Sequence, residues 1–516
     1  MRMSRLANVV LAAVLAGGVA ACDGDPADAP LGAPANLAVA YDGAKAMVTF
    51  QPASGAESYT IQRQNVTRSA SVTYTGVTAT TYADTVTPGN TYSYSVVAVR
   101  GGDVSGASTP FVLAVGEKRT NLVNLAKDGT RTLSKDTLYV ISGPVTVDSG
   151  AVLTIPAGTK LVGDTLAGVS YLVIRRGGRI VANGTAAEPI VFTSMREPGN
   201  RRRGDWGGLV INGRSNCNFP QPCSGEGSSG TYGGTVQNDN SGVLRYVRIE
   251  YAGYEVSPNN ELNGLTLNGV GSGTTIEYVQ VHFGLDDGIE WFGGTVNVRY
   301  AMVTGQDDDA FDYSTGWAGK GQFWIAQADT LLGDKGFEVD NNETTFDAQP
   351  WTDPSIYNVT LVGRNGRGAA GKSPVGMHLR RGTRGDVMNA IITGYAYAFD
   401  IDDALTAAHC GTGDLRVANT LASNLTSLDD PDADANEATC RASAGWSVTQ
   451  VADAQLTNPF NLDAPSFVPA AGSPALAAGA AATPPNDGFF TTVNYVGAVA
   501  GTGTPWYAGW TTYARN

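Results

Sequence analysis

The sequence predicts an all-β protein, a small sandwich followed by a long coil of stacked strands, and three observations carry that reading. The first is a recurring segment of a small, a large apolar, a polar and a second large apolar residue: Gly288-Ile289-Glu290-Trp291, Ala310-Phe311-Asp312-Tyr313, Gly336-Phe337-Glu338-Val339, Gly376-Met377-His378-Leu379 and Ala398-Phe399-Asp400-Ile401. These recur at intervals of about 22 residues, or 22 plus an insertion, which marks a repeat architecture. The second is a companion series, among it Leu244-Arg245-Tyr246-Val247, Ile276-Glu277-Tyr278-Val279 and Val298-Arg299-Tyr300-Ala301, that gives each coil another strand. The third is a set of alternating runs with turn residues between them in the first 116 positions. Two or three short strands per coil, punctuated by Gly and Asn, describe a right-handed parallel β-helix solenoid. A propeller, whose blades need about 40 residues and four antiparallel strands, fits the interval poorly.

In chain order, Arg2 and Arg5 precede the apolar run Val9–Leu15, small residues and Cys22, the layout of a secretory leader over 1–21. Val19-Ala20-Ala21-Cys22 resembles a bacterial lipobox, which implies cleavage before Cys22, lipidation of that residue and a membrane partner held through acyl chains. Residues 22–32, rich in Asp, Pro and Ala, read as a tether. Over 33–116, Ala46–Phe50, Ser58–Arg63 and Tyr92–Val99 alternate as sandwich strands do. With Ala33-Pro34-Ala35-Asn36-Leu37 and Pro88-Gly89-Asn90-Thr91-Tyr92, this segment resembles a fibronectin type III domain. The resemblance makes Tyr92 the corner tyrosine and puts Phe50 where many such domains carry a tryptophan.

The chain has 516 residues, of which 65 are Gly, and 34 Lys and Arg against 48 Asp and Glu. It is long enough for more than one domain, and its net charge of −14 argues against nucleic acid as a partner.

The solenoid is expected over 120–440. Tyr139–Thr159, Ala187–Ser194 and Gly204-Asp205-Trp206-Gly207-Gly208 resemble a family of β-helix envelope lipoproteins of Gram-negative bacteria, with a pectin-lyase-like fold, from about residue 120 to the tail Pro505–Trp510. The resemblance implies a location in the cell envelope, at the outer membrane or cell surface, and carries no catalytic residues to transfer. In an exported chain, Cys217 with Cys223 and Cys410 with Cys440 read as two local disulfides, and His409 as a surface-loop residue. Residues 441–516 read as a last coil, loops and a cap over the open end.

Alternation along a strand puts the two apolar positions of each repeat inside and the polar one outside. Stacking about 4.8 Å apart would then place Glu290, Asp312, Glu338, His378 and Asp400 in one external column. Adjacent carboxylates at that spacing repel by about 3 to 4 kcal/mol at an effective dielectric near 20, so exposure, a cation or a retained proton must offset the repulsion. With Asp286, Asp287, Asp307, Asp308, Asp309 and Asp340 nearby, a hard cation such as Ca²⁺ has candidate ligands in Asp287, Glu290, Asp309, Asp312, Glu338 and Asp340. A solvated acidic face is the plainer account. His378 and Arg380 suggest charge ladders, Glu338-His378-Asp400 and Asp340-Arg380-Asp402.

A catalytic reading takes Asp307, Asp308, Asp312, Glu338 and His378 as the acid–base set of a polysaccharide lyase or glycoside hydrolase, with Arg364, Arg367 and Lys372 available to an acidic sugar. Gly305-Gln306-Asp307-Asp308 resembles the acidic pair of polygalacturonases, but the rest of that pattern is missing. The reading preferred from sequence is a noncatalytic envelope protein that binds a glycan, an ion or another envelope protein.

Overall fold

A computed structural model describes residues 30–42, 45–67, 69–87, 89–116, 118–258, 260–365, 375–431 and 435–516. The leader, Cys22 and most of the tether, and also Arg367 and Lys372, lie outside the described residues. The chain divides into two compact units, Met1–Glu117 and Lys118–Asn516.

The first unit packs two antiparallel sheets. Ala35–Tyr41, Ala46–Gln51 and Thr81–Asp84 form one, and Ala70–Val77, Ser58–Asn65 and Thr91–Arg100 with two short partners form the other. Alternate residues Val48, Phe50, Tyr59, Ile61, Tyr94 and Val96 meet in the core, with Phe50 edge-on to Tyr59. The Thr87 amide donates to the Tyr92 hydroxyl at 2.8 Å. A buried carboxylate, Asp84, accepts from Tyr74 (2.6 Å), Tyr94 (2.7 Å) and Arg63 (3.0 Å), so its charge is met by three donors.

The second unit is a parallel β-helix. Ten short strands, from Pro144–Val147 through Leu265–Asn268, Ile289–Phe292, Phe311–Ser314, Lys335–Asp340, Val375–Arg380 and Tyr397–Ile401 to Ser427–Asp429, stack in parallel as one sheet. A 16-stranded sheet makes up the other faces. Its later strands run eight or nine residues and bend at Tyr246, Tyr278, Tyr300, Phe323, Asn358 and Asn389, each with φ between 48° and 61°. That left-handed residue turns one strand onto two faces without a separate loop. The small residue opening each repeat has a steric cause: a Cβ on Gly288 would lie 2.3 Å from the Val303 side chain across the interior. The interior is filled by aromatics, Trp291 stacking on Trp324 at 5.1 Å and Phe311 packing against both Trp324 and Phe337.

The far end is closed differently from the expectation for 441–516. Helices Ala404–Thr412 and Asn436–Arg441, joined by the Cys410–Cys440 disulfide, lie there with Trp446, which meets Phe399 at 5.4 Å. His409 is accordingly a buried helix residue, 3.1 Å from the Thr383 carbonyl, and not a loop residue. From residue 480 the chain runs back along the outside of the larger sheet, exchanging hydrogen bonds with Asn389, Gln322 and Gln280 in turn, and ends with the Ala514 carbonyl accepting from Tyr251. Polar side chains on three different rows of alternate coils supply the partners that this irregular segment cannot find in itself.

Candidate functional site

The polar position of the repeat forms the column expected of it. Thr266, Glu290, Asp312, Glu338, His378 and Asp400 are paired residue to residue across six adjacent strands. In the two coils before Thr266 the same column carries Val210 and then Val173, which are buried under Tyr254 and Leu262 of the hairpin formed by Tyr254–Ser257 and Asn260–Leu262. The column therefore changes from apolar to acidic where this roof ends.

There it opens into a groove of about 860 Å³. One wall is the loop closed by the Cys217–Cys223 disulfide, presenting Phe219, Pro220 and Pro222, with the hairpin Cys223–Gly225/Gly230–Tyr232 behind it. The loop is tied down by buried amides: Asn218 donates to the Asn341 carbonyl at 2.9 Å, and Asn342 donates to the Asn218 side chain at 3.0 Å. The floor is Glu290, Phe292, Asp312, Ser314 and Glu338, and the rim adds Glu226, Glu261, Asp340, Glu343, Arg380 and Arg381. Seven carboxylates thus face two guanidiniums.

The two guanidiniums are committed. Arg380 donates through Nε to Asp340 at 2.6 Å and through Nη2 to Glu338 at 2.7 Å, and Arg381 donates to Asp340. Lys335 adds its ammonium to Glu338 at 2.8 Å and to Asp334 at 2.9 Å. Burial would raise the Glu338 carboxyl, but His378, Lys335 and Arg380 outweigh it and hold the group well below the usual carboxylate range. Asp340 is taken up by the two arginines and does not join the carboxylate cluster expected to hold a metal.

Glu290 and Asp312 have the opposite environment. Glu290 is buried and accepts from Asn263, while Asp312 is half-buried between Glu290 and Glu338. Burial first, and then neighbouring carboxylates, push both well above the usual range. One oxygen from each of Asp287, Glu290 and Asp312 lies within 4.8 Å of the others, and the same holds for Asp309, Asp312 and Glu338. Towards the preceding turns the acids continue through Asp286, Asp287 and Asp308, and through Asp308, Asp309 and Asp334. Burial and like charge push Asp286 up to about 8; burial pushes Asp309 to about 8 although Lys335 opposes it. Two of these turn acids are also structural, since the Asp287 carboxylate accepts the Asp309 amide (2.9 Å) and Asp309 accepts the Lys335 amide (2.7 Å).

The ladders form with one exchange of partners. His378 lies 3.5 Å from Glu338, 3.7 Å from Asp400 and 2.9 Å from Asp402, and despite burial these acids raise its pKa. Arg380 reaches back to Asp340 and Glu338, leaving Asp402 to His378. Of the residues assigned to catalysis from sequence, Asp312, Glu338 and His378 meet on the column, Asp308 lies with the turn acids, and Asp307 is not among the groove-lining residues. Arg364 is buried beside Leu331, away from the groove. Sequence reasoning missed Glu226, Glu261, Glu343, Phe219 and Arg381. The first four sit on insertions between repeats, and the lengths of those insertions were the only signal.

The class of molecule is now defined: a parallel β-helix with an acidic groove on the outside of one sheet. The family description of the pectate-lyase-like β-helix domain matches residues 125–460, and the chain belongs to that family. No curated protein matches the chain. Among solved structures it is similar to a Fn3-like protein from Clostridium thermocellum (31% identity, 17% of this chain and 95% of that one, TM-score 0.16). It is also similar to pectate lyase PelI from Erwinia chrysanthemi in complex with tetragalacturonic acid (10% identity, 82% of this chain and 100% of that one, TM-score 0.19). A third is the catalytic domain of a GH87 alpha-1,3-glucanase in complex with tetrasaccharides (13% identity, 80% and 91%, TM-score 0.25).

Proposed function

We propose that the protein is a lipid-anchored component of the bacterial envelope, held by Cys22, the tether and a fibronectin-type module, whose β-helix groove binds a neutral glycan without cleaving it. The observation that carries the reading is the groove itself, with an aromatic and proline wall facing a column of carboxylates. Pyranose rings offer an apolar face to Phe219 or Phe292 and hydroxyl donors to acids, a pairing typical of small-molecule sites. Seven carboxyl groups against two already paired guanidiniums disfavour a polyuronate, which weighs against the polysaccharide lyase alternative. A Ca²⁺ ion at Asp287, Glu290 and Asp312 would offset their mutual repulsion, and hard oxygen ligands suit it.

Noncatalytic binding is favoured because Lys335, Arg380 and His378 all pair with Glu338 and lower the basicity of its carboxylate, which weighs against a general-base role. One observation favours the hydrolase reading: Asp312 and Glu338 are adjacent carboxyls pushed apart in pKa, as acid and ionised partner are in glycosidases. The test is a panel of neutral and acidic polysaccharides given to the purified protein, scored for retention and for new reducing ends. Retention of a neutral glycan without product, weakened by Asp312→Asn, supports binding. Product formation abolished by Asp312→Asn establishes the hydrolase instead, and retention of only acidic polymers overturns both.

A further inference from the structure

Charge is segregated along the β-helix. Lys118 to Arg214 carry fourteen Lys and Arg against seven Asp and Glu, a net +7 in a chain whose net charge is −14, so all other residues together carry −21. The acidic groove belongs to the later coils. The first coils are basic, and five of these fourteen cations stand on or beside one edge.

That edge is built by stacked turns. The Asp128 amide donates to the Ser149 carbonyl at 3.1 Å and the Gly150 amide to the Gly177 carbonyl at 2.8 Å, which sets the turns at residues 127–129, 148–150 and 175–177 one upon another. The turn after Leu209–Asn212 continues the stack, since a Cβ on Gly177 would lie 3.7 Å from the Arg214 guanidinium. Lys127, Arg175, Arg176 and Arg214 therefore project from one edge, all exposed, with exposed Arg179 just beyond. Arg175 pairs with Asp148 and Arg214 with Asp239, both at 2.9 Å. Lys127 and Arg176 have no carboxylate partner among the described residues. Lys127, Asp148, Ser149, Arg175, Arg176 and Asn212 line a shallow depression of about 560 Å³ on this edge. Cations flanked by the Ser149 and Thr231 hydroxyls are the chemistry that receives phosphate esters.

We propose that this basic edge docks the β-helix on an anionic phospholipid surface, with Lys127, Arg175 and Arg176 at the centre of contact. The opposite charge of the later coils makes the contact directional: the same field that draws the first coils to anionic headgroups repels the acidic groove from them. The groove is thereby kept turned to solvent, whichever ligand it takes. The inference adds to the proposed envelope location and does not depend on the glycan reading. It concerns a surface contact and is separable from acylation at Cys22, because the test omits the anchor.

The chain from Asp23 onward, which keeps every described residue, is sedimented with vesicles of phosphatidylcholine alone or with one-third phosphatidylglycerol, at 50 and 500 mM NaCl. The expected result is at least about tenfold more binding to the anionic vesicles at low salt, lost at high salt as screening shortens to a few ångströms. Lys127→Glu, Arg175→Glu and Arg176→Glu combined should lower that binding about fivefold or more with an unchanged melting profile. Equal binding to both vesicles, salt-insensitive binding, or undiminished binding by the folded variant overturns the proposal. Should the triple variant fail to fold, the headgroup and salt comparison on the parent chain decides the question.

Discussion

Asp312→Asn should stabilise the protein, although it alters the centre of the groove. The structure places an Asp312 oxygen within 4.8 Å of oxygens from Asp287 and Glu290, and an Asp312 oxygen within 4.8 Å of oxygens from Asp309 and Glu338. At that separation each ionised pair costs about 3.5 kcal/mol at an effective dielectric of 20. Asp312 reduces the cost by holding its proton, so its folded pKa stands above the unfolded value of about 3.9. The native state then binds more protons than the unfolded chain between those two values, and stability falls as pH rises through the window. At about 1.4 kcal/mol per pH unit the penalty at pH 7.5 is at most ~5 kcal/mol. Partial exposure, protons shared with Glu290 and Asp287, and the lost attraction to Arg380 roughly halve it, to about 2–3 kcal/mol, with under about 1 kcal/mol at pH 5. Asn keeps the shape and removes the charge. For a unit of roughly 400 residues, with an unfolding entropy near 0.8 kcal/mol/K, the gain is about 3 °C in Tm at pH 7.5 and under about 1 °C at pH 5. Scanning calorimetry of both proteins at the two pH values, in chelator, reads the difference directly. Equal shifts at both pH values would mean a packing effect, and a loss of stability at pH 7.5 would refute the electrostatic reasoning.

Arg380→Ala leaves Glu338 and Asp340 short of a cation and should cost about 2–3 kcal/mol at pH 7, discounted for the partial exposure of the guanidinium. Because Glu338 is held below its ordinary range, this contribution is present above about pH 4.5 and fades as pH falls further, so melts of the two proteins should converge in acid. Trp324→Ala empties part of the fully buried stack with Trp291 and Phe311, and should cost about 3–5 kcal/mol at every pH, lowering Tm by about 4–6 °C. If Ca²⁺ occupies the column, adding it at about a hundred times its Kd should raise stability by about 2.7 kcal/mol in the parent and much less in Asp312→Asn; an unchanged parent melt removes the ion from the proposal.

The column from Glu290 to Asp400 was legible because it depends on two local regularities. Side chains alternate along a strand, and successive coils superimpose equivalent positions, so the tetrapeptides specify both the interior and the external row. The exchange by which Asp402 meets His378 and Arg380 turns to Glu338 was not legible, because it turns on the reach of side chains at strand ends, where register stops. The tail from residue 480 illustrates the same limit. Its Ala-rich and Pro-rich sequence has no periodicity, and its course is decided by hydrogen bonds to Gln280, Gln322 and Asn389, between 93 and 232 residues away.

The coil, its apolar interior and the row of carboxylates on one face follow from local pattern, since each rests on residues near one another or separated by one repeat. That the row lies in a groove depends instead on segments brought together from distant parts of the chain. Phe219 reaches it on a loop closed by the Cys217–Cys223 disulfide and tied to Asn341 and Asn342, Leu262 on a hairpin that roofs Val210, and Glu226 and Glu343 on further insertions. These walls remove water from Glu290, Asp312 and Glu338 alike, and the cationic neighbours His378, Lys335 and Arg380, which only Glu338 has in that number, separate its proton affinity from the other two.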